Sequence, residues 1–369
     1  MRILYDDSLA RNPAGTGTFV RGLRGGLQAR TDIELVTVRA SLDGASDLDV
    51  PRKRLGGRLG RAGAHLRHYL VDLPGQARAQ GCDAIFCPTS LGPLRGRIPS
   101  FITLFDLSPL THSATMDRVS GQYIRAMLGA GLKRSSGVCT ISHAVADEIG
   151  ARYPRLQGRV AVAYPGPNPE LIDAVPSAPD LPDAPFLLMV GTLEPRKNHL
   201  TIVRALADHV RRRPASPLWL VLAGSAGWLY QPVLDAIGEL SLDSRVVRLG
   251  KVEPGVLKWL YQHAAALLFP SLYEGFGLPV LEAFALGCPV VAARIASVLE
   301  IADGDSAMLL EPTDVPAWAA ALDRIEAGGL PPGMVEAARR RAQRFTWAGC
   351  ADSVVTLIRS SRQEVREAV

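Results

Sequence analysis

Glu274 and Glu282 are separated by seven residues in the run SLYEGFGLPVLEAFALGCPVVAA, and the stretch between them is built to meet an anion. Gly275 and Gly277 permit a tight loop with positive φ and close ligand approach. Pro279 suits the first turn of a helix, where its missing N–H has no acceptor to lose, and Gly287 with Pro289 ends that helix. The backbone N–H groups around Phe276, Gly277 and Leu278 thus fall at a helix N-terminus, where the macrodipole favours negative charge. A phosphate is the expected occupant. Glu282, about one turn into the helix, would repel a phosphate aimed at it. It is read instead as the acceptor for hydroxyls such as a ribose diol, a charge-assisted contact.

Such residues need strands to present them. Met1 to Tyr5 reads as a short buried strand, followed by the glycine loop NPAGTGTFV and a helical stretch from about Phe19 to Ala29. Apolar runs recur at IELVTV, DAIFCP, SFITLF, GVCTIS and RVAVAYP. Strands alternating with helices imply a mostly parallel sheet. A proline-rich stretch ends near Pro185, and the pattern restarts with FLLMVGT, LWLVLAG, RVVRLG, AALLFP and CPVVAA, with helices near Leu200 to Arg212 and Leu229 to Leu240. The expected organisation is an α/β domain over 1–168, a linker over 169–185, a second doubly wound α/β domain over 186–344 and a helical tail over 345–369 with Trp347, Val354, Val355 and Ile358 on one face. In such sheets ligands lie beyond the carboxyl ends of the strands.

A length of 369 residues suits two domains, and 47% hydrophobic with 21% charged residues is the composition of a globular protein. The N-terminus turns polar after five residues, too soon for a signal peptide, and no apolar run is long enough to span a bilayer. Cys82, Cys87, Cys139, Cys288 and Cys350 are odd in number and lack CxxC spacing, which fits buried thiols in a reducing cytoplasm. The net charge of +5 is partly local: Arg52, Lys53, Arg54, Arg58, Arg61 and Arg67 occur with no acid among them. That run is read as a solvated segment or as a means of peripheral contact with an anionic membrane at its inner face. Nucleic acid is disfavoured because no stacking aromatic interleaves with it before Tyr69. No metal-ligand cluster is evident, and the DxD-like Asp47 to Asp49 is read as incidental.

The segment around Glu274 and Glu282 resembles the E-x7-E motif of glycosyltransferase family 4, the retaining enzymes of the GT-B fold. VGTLEPRKNHLTIVRAL, LVLAGSAGW and RVVRLGKV resemble the family's donor-contacting loops, and AGTGTFVRGL, TLFDLSPL and CTISHAV extend the likeness into the first half. The resemblance implies two Rossmann-like domains facing across a cleft, with the tail helix crossing back to the first. It implies that Arg196 and Lys197 hold the donor diphosphate, and that Glu282 binds the ribose. Glu274 and the backbone of Gly275, Phe276, Gly277 and Leu278 would face the transferred sugar and phosphate. Thr192, Gly224 and Val252 belong to the nucleotide-contacting loops, and the loop Gly15, Thr16, Gly17 approaches the donor phosphates or the acceptor. Asp106 would contact sugar or acceptor.

Two positions depart from the pattern. Phe105 stands where the family has a histidine, with His112 nearby, and Ser225 and Ala226 stand where relatives often carry a basic residue. With Arg196 and Lys197 doing a metal's work, the reading is a metal-independent, retaining hexosyltransferase without cofactor. Its donor would be a nucleotide diphosphate sugar, GDP-mannose favoured, and its acceptor a saccharide or glycolipid. The alternatives are a sugar-nucleotide epimerase of the same architecture and a noncatalytic sugar-nucleotide-binding subunit.

Overall fold

A computed structural model describes residues 1–12, 14–38, 63–64, 66–107 and 128–367. The basic residues Arg52 to Arg61, the string Asp47 to Asp49 and His112 lie outside the described residues. The chain divides into two compact units, Met1–Gly166 with Thr346–Val369, and Pro167–Phe345.

In the first unit, β1 (Arg2–Tyr5), β2 (Glu34–Thr37), β3 (Ala84–Cys87), β4 (Ser100–Leu104), β5 (Gly137–Thr140) and β6 (Val160–Val162) form one sheet in the order β2-β1-β3-β4-β5-β6. All its pairs are parallel. Each of the six apolar runs in this half has become a strand. Helices α1 (Gly15–Gln28), α2 (Leu73–Ala79) and α3 (His143–Arg152) connect them. Strands β3, β4 and β5 are buried along their whole length, which is why they read as continuous apolar runs rather than alternating ones.

In the second unit, β7 (Phe186–Val190), β8 (Trp219–Ala223), β9 (Val246–Gly250), β10 (Ala266–Phe269), β11 (Val290–Ala293) and β12 (Met308–Leu310) form a parallel sheet in the order β12-β11-β10-β7-β8-β9. Strand β12 escaped the sequence reading because it is a half-buried edge of only three residues, too short to show a strand's periodicity. Its helices are α4 (Pro169–Asp173), α5 (His199–Arg212), α6 (Gln231–Glu239), α7 (Pro254–His263), α8 (Leu278–Leu286), α9 (Ala296–Ile301), α10 (Val315–Glu326) and α11 (Met334–Ala342). Counted within the unit, the strand order is 3-2-1-4-5-6, so the sheet reverses direction between β7 and β10.

The stretch 169–185 is not a free linker. It contains α4, capped by the Asn168 side chain on the Glu170 N–H, and it is tied to α7 of the second unit. Lys258 Nζ donates to the Ala174 carbonyl at 2.9 Å, and the Ser177 N–H donates to Gly255 O at 3.1 Å. Gly255 permits that approach, since a Cβ there would lie 2.5 Å from Val175 O. Prolines restrict the chain without supplying N–H donors, so the strap is held by the donors that remain.

The tail helix α12 (Trp347–Glu367) belongs to the first unit and lies along α1. Gly22 and Gly26, one turn apart on α1, make the contact. A Cβ at Gly22 would lie 2.1 Å from Trp347 Cε2, and one at Gly26 would lie 2.3 Å from Trp347 O. Trp347 packs edge-on against Phe19, with ring centroids 5.8 Å apart.

Candidate active site

The candidate site forms where the second sheet reverses. The loop after β7 carries Thr192 to Lys197, the loop after β10 carries Ser271 to Gly277, and both leave the carboxyl ends of adjacent parallel strands. Arg196 and Lys197 sit in a single 3-10 turn, Pro195–Lys197, whose end is fixed by Asn198 in the left-handed region at φ 56°. Asparagine tolerates that conformation, and its side chain locks it: Nδ2 donates to Pro270 O at 3.0 Å and to Pro312 O at 2.7 Å. The Leu272 N–H donates to Arg196 O at 2.9 Å, joining the two loops through the backbone.

Both cations converge on Glu274. Arg196 Nη1 donates to Glu274 Oε2 at 2.6 Å, and Lys197 Nζ donates to Oε1 at 2.7 Å. Arg196 is also gripped by Glu194, with Nη2 to Oε1 at 2.6 Å, and its Nη1 donates to Tyr273 O at 2.9 Å. Glu194 accepts from Trp228 Nε1 at 3.1 Å through its other oxygen. Two acids and two bases thus neutralise each other, which lets the two cations sit only 21% and 13% exposed. Burial opposes the charge of Glu274, but the Lys197 ammonium and the Arg196 guanidinium outweigh it and hold its carboxyl below the ordinary carboxylate range.

The helix that follows begins as its sequence implies. Of the two loop glycines, Gly277 carries the positive φ, at 128°, and a Cβ there would lie 3.2 Å from Ile301 Cδ1. The carbonyl of Gly277 receives the N–H of Val280 at 2.9 Å, opening α8 at Leu278. The first-turn N–H groups of a helix have no intrahelical acceptor and point out of its end. Phe276 is buried and packs edge-on against Phe345 at 5.6 Å between centroids, which anchors the loop. Gly287 at φ 79° closes the helix.

Glu282 is buried on α8 and accepts from the Tyr261 hydroxyl at 3.0 Å. Burial pushes its carboxyl from 4.5 up to about 7, with the Tyr261 hydrogen bond acting in the opposite direction.

Close packing holds the remaining donor-loop residues. Gly224 sits so near the β7 loop that a Cβ would lie 1.9 Å from Gly191 O, and one at Gly227 would lie 2.5 Å from Thr192 Cγ2. Leu193 bridges to Ala226 as an isolated parallel pair, with its N–H donating to Ser225 O at 2.9 Å. The small residues that replace the basic one of the pattern are therefore part of this backbone splice. Val252 is half-buried in the loop between β9 and α7.

In the first unit one expectation changes. Gly15, Thr16 and Gly17 are not a loop but the first turn of α1, because the Ala14 carbonyl receives the N–H groups of Gly17 and Thr18. Gly17 is required there, as a Cβ would lie 1.8 Å from Asn12 O. Phe105, at the position where the family pattern has a histidine, packs its ring edge-on against Phe19 at 5.2 Å and so extends the aromatic cluster that includes Trp347. Asp106 follows it, half-buried, just beyond β4.

Reasoning from the sequence alone missed Glu194, Asn198, Trp228, Tyr261 and His199. Glu194 and Asn198 flank the basic pair and were legible as its neighbours. Tyr261 lies in a different helix from Glu282, and nothing local marks it. His199, the first residue of α5, is buried with no hydrogen-bond partner for Nδ1 among the described residues. Burial and the nearby Lys197 push it down to about 4, so it is neutral. The described residues include no group of three or more His, Cys, Asp or Glu placed to hold a metal ion, and no helix among them is long and apolar enough to cross a membrane.

Two six-stranded parallel sheets of these orders, with charged loops at the carboxyl edge of the second, are the GT-B fold of glycosyltransferases. Anabaena HepE in complex with UDP and glucose superposes with a TM-score of 0.70 at 19% identity, over 98% of this chain and 100% of that one. Residues 184–327, all within the second unit, match the family model described as glycosyl transferases group 1. O-antigen chain mannosyltransferase B of Escherichia coli is 30% identical over 174 residues, 46% of this chain and 44% of the relative. D-inositol 3-phosphate glycosyltransferase of Corynebacterium urealyticum is 33% identical over 231 residues, 58% of this chain and 54% of the relative. The chain spans about half the length of the curated relatives it matches.

Proposed function

We propose that the chain transfers a hexose from a nucleotide diphosphate sugar to a saccharide or glycolipid acceptor, with retention of configuration and without a metal ion. The observation that carries this reading is the convergence of Arg196 and Lys197 on Glu274 at the switch point of the second sheet. Breaking the bond between the sugar's anomeric carbon and the diphosphate leaves negative charge on the phosphate oxygens. Fixed cations and helix N–H groups aimed at that charge stabilise it without reorganising. Arg196, Lys197 and the first turn of α8 are the groups in place. Glu274 keeps the two cations ordered while its unused lone pairs accept from sugar hydroxyls. The acceptor oxygen bonds to the anomeric carbon on the face the diphosphate leaves, and its proton passes to a departing phosphate oxygen. Asp106 and the turn at Gly15 to Gly17 belong to the first unit and are assigned to sugar, acceptor or phosphate contact.

Glu282 takes the ribose hydroxyls. Thr192, Gly224, Val252 and the backbone from Gly275 to Leu278 complete the donor-binding set. The mannosyltransferase relative supports mannose as the sugar, and GDP is the carrier we assign to it.

A thermal-shift screen against GDP, UDP, TDP and ADP identifies the base, because a ligand that binds only the folded state raises its stability in proportion to affinity. GDP is expected to give the largest shift. Product formation from GDP-mannose in excess chelator should match the untreated rate. A rate below about a tenth of that control would remove the metal-free mechanism.

A further inference from the structure

We infer that Tyr261 is a positioning residue for nucleotide binding: its hydroxyl orients the Glu282 carboxylate for the ribose and favours its charged form, and so sets the pH range in which the second unit takes a nucleoside diphosphate. The inference rests on the reading of Glu282 as the ribose acceptor.

The two side chains come from different helices, Tyr261 from α7 and Glu282 from α8, and meet at 3.0 Å with both buried. Burying a phenol hydroxyl and a carboxyl is costly, and a phenylalanine would fill the Tyr261 ring site without that cost. The hydroxyl has one proton, and it is given to Glu282 Oε2. The carboxylate keeps Oε1 and further lone pairs for a diol. Burial and the adjacent Glu282 raise the Tyr261 phenol well above its ordinary range, so it stays a neutral donor and never competes as an anion.

Among the described residues, no other titratable group on the surrounding elements has that relation to Glu282. On α7, Lys258 is committed to the Ala174 carbonyl, and His263 stacks on Trp259 at 4.1 Å between centroids. Cys288, just past α8, is pushed up to about 12 by burial and is neutral. On α11, Arg339 lies against Gly287 at the far end of the helix, and Arg341 bonds Asp303. Strands β10 and β11 present only apolar residues. The balance on Glu282 is therefore between burial, which raises its carboxyl, and the Tyr261 O–H, which lowers it, and the two together leave it at about 7.

The test is the affinity for GDP and for UDP, measured by calorimetry between pH 6 and 9 on the full chain and on Tyr261→Phe. Losing the hydroxyl should move the midpoint of the pH dependence upward by about one pH unit, giving about fivefold weaker binding at pH 7 and nearly unchanged binding at pH 9. The nucleotide's own phosphate ionisation is common to both proteins and cancels in the ratio. A loss equal at pH 7 and pH 9, or no loss at all, overturns the inference. If Tyr261→Phe does not fold, the intact chain and Glu282→Gln decide it. Glutamine cannot ionise, so the pH dependence above that of the nucleotide should vanish, and its persistence overturns the inference. The 2′-deoxy nucleotides separate this from the parent reading: if Glu282→Gln leaves the preference for ribo over deoxy unchanged, it is the ribose assignment that has failed.

Discussion

The two units are made of the same parts and put different things at the same place. Both have six parallel strands, and in each the first strand lies beside the point where the sheet reverses, between β1 and β3 in one and between β7 and β10 in the other. At the first point the carboxyl end of β1 carries Asp6, fully buried, with His68 Nε2 3.3 Å from its Oδ2 and the Ser8 N–H on its Oδ1. At the second the strand ends carry Arg196, Lys197 and Glu274, partly open to solvent. A sheet of this kind supplies a crevice, and the few residues after each strand decide whether it is sealed or charged. The first unit adds a packed aromatic cluster of Phe19, Phe105 and Trp347, which holds the start of the tail helix.

That contrast predicts a division of effects. Lys197→Ala should reduce turnover by about 10²–10³-fold, the range for removing one preorganised group from a developing charge, with a smaller loss of donor affinity. Steady-state kinetics and nucleotide titration on the same preparation measure both, and an unchanged turnover would remove Lys197 from the mechanism. Trp347→Ala empties the slot formed by Gly22 and Gly166 and should cost about 3 kcal/mol of stability in the first unit. Denaturant unfolding followed by a probe in each unit should show the loss there, with GDP affinity unchanged. An equal loss in both units would break the comparison.

The third prediction is smaller and concerns pH. Glu282 has a folded value of about 7 against 4.5, so its proton is held more tightly in the folded chain. Its contribution is fully present below about pH 4.5 and is lost as pH rises through about 7. Glu282→Gln removes that loss. The variant should be more stable than the parent by up to about 3 kcal/mol at pH 8 and equal to it at pH 4, while binding nucleotide more weakly. Chemical unfolding at the two pH values measures the difference, and a variant less stable at pH 8 would mean that the carboxylate is structural.

Reading the sequence was most successful where the physics is local. Strands such as AIFC and ALLF are continuous apolar runs because both faces are covered, and a run of that kind is visible without knowing what covers it. The Gly277, Pro279 and Gly287 pattern located α8 because caps and proline act within one or two turns. Edge strand β12 and the strap over 169–185 were not legible, the first because three half-buried residues carry little periodicity, the second because its anchors lie on a helix some eighty positions away.

The sequence by itself determined the two parallel sheets, the helix behind Glu274 and the presence of a basic pair beside a strand end. Tertiary structure decided what those charges do. Glu274 is 77 residues from Lys197 and 78 from Arg196, and Tyr261 is 21 from Glu282, so neither the ion-paired triad nor the buried phenol-carboxyl contact has a sequence signature. Likewise the chain marks Phe105 only as a departure from the family's histidine, and its packing on Phe19 is visible only in the fold. The reason is range: backbone preference and burial periodicity act over a few residues, whereas the partner of a charge or an aromatic ring is set by which strands the fold makes neighbours.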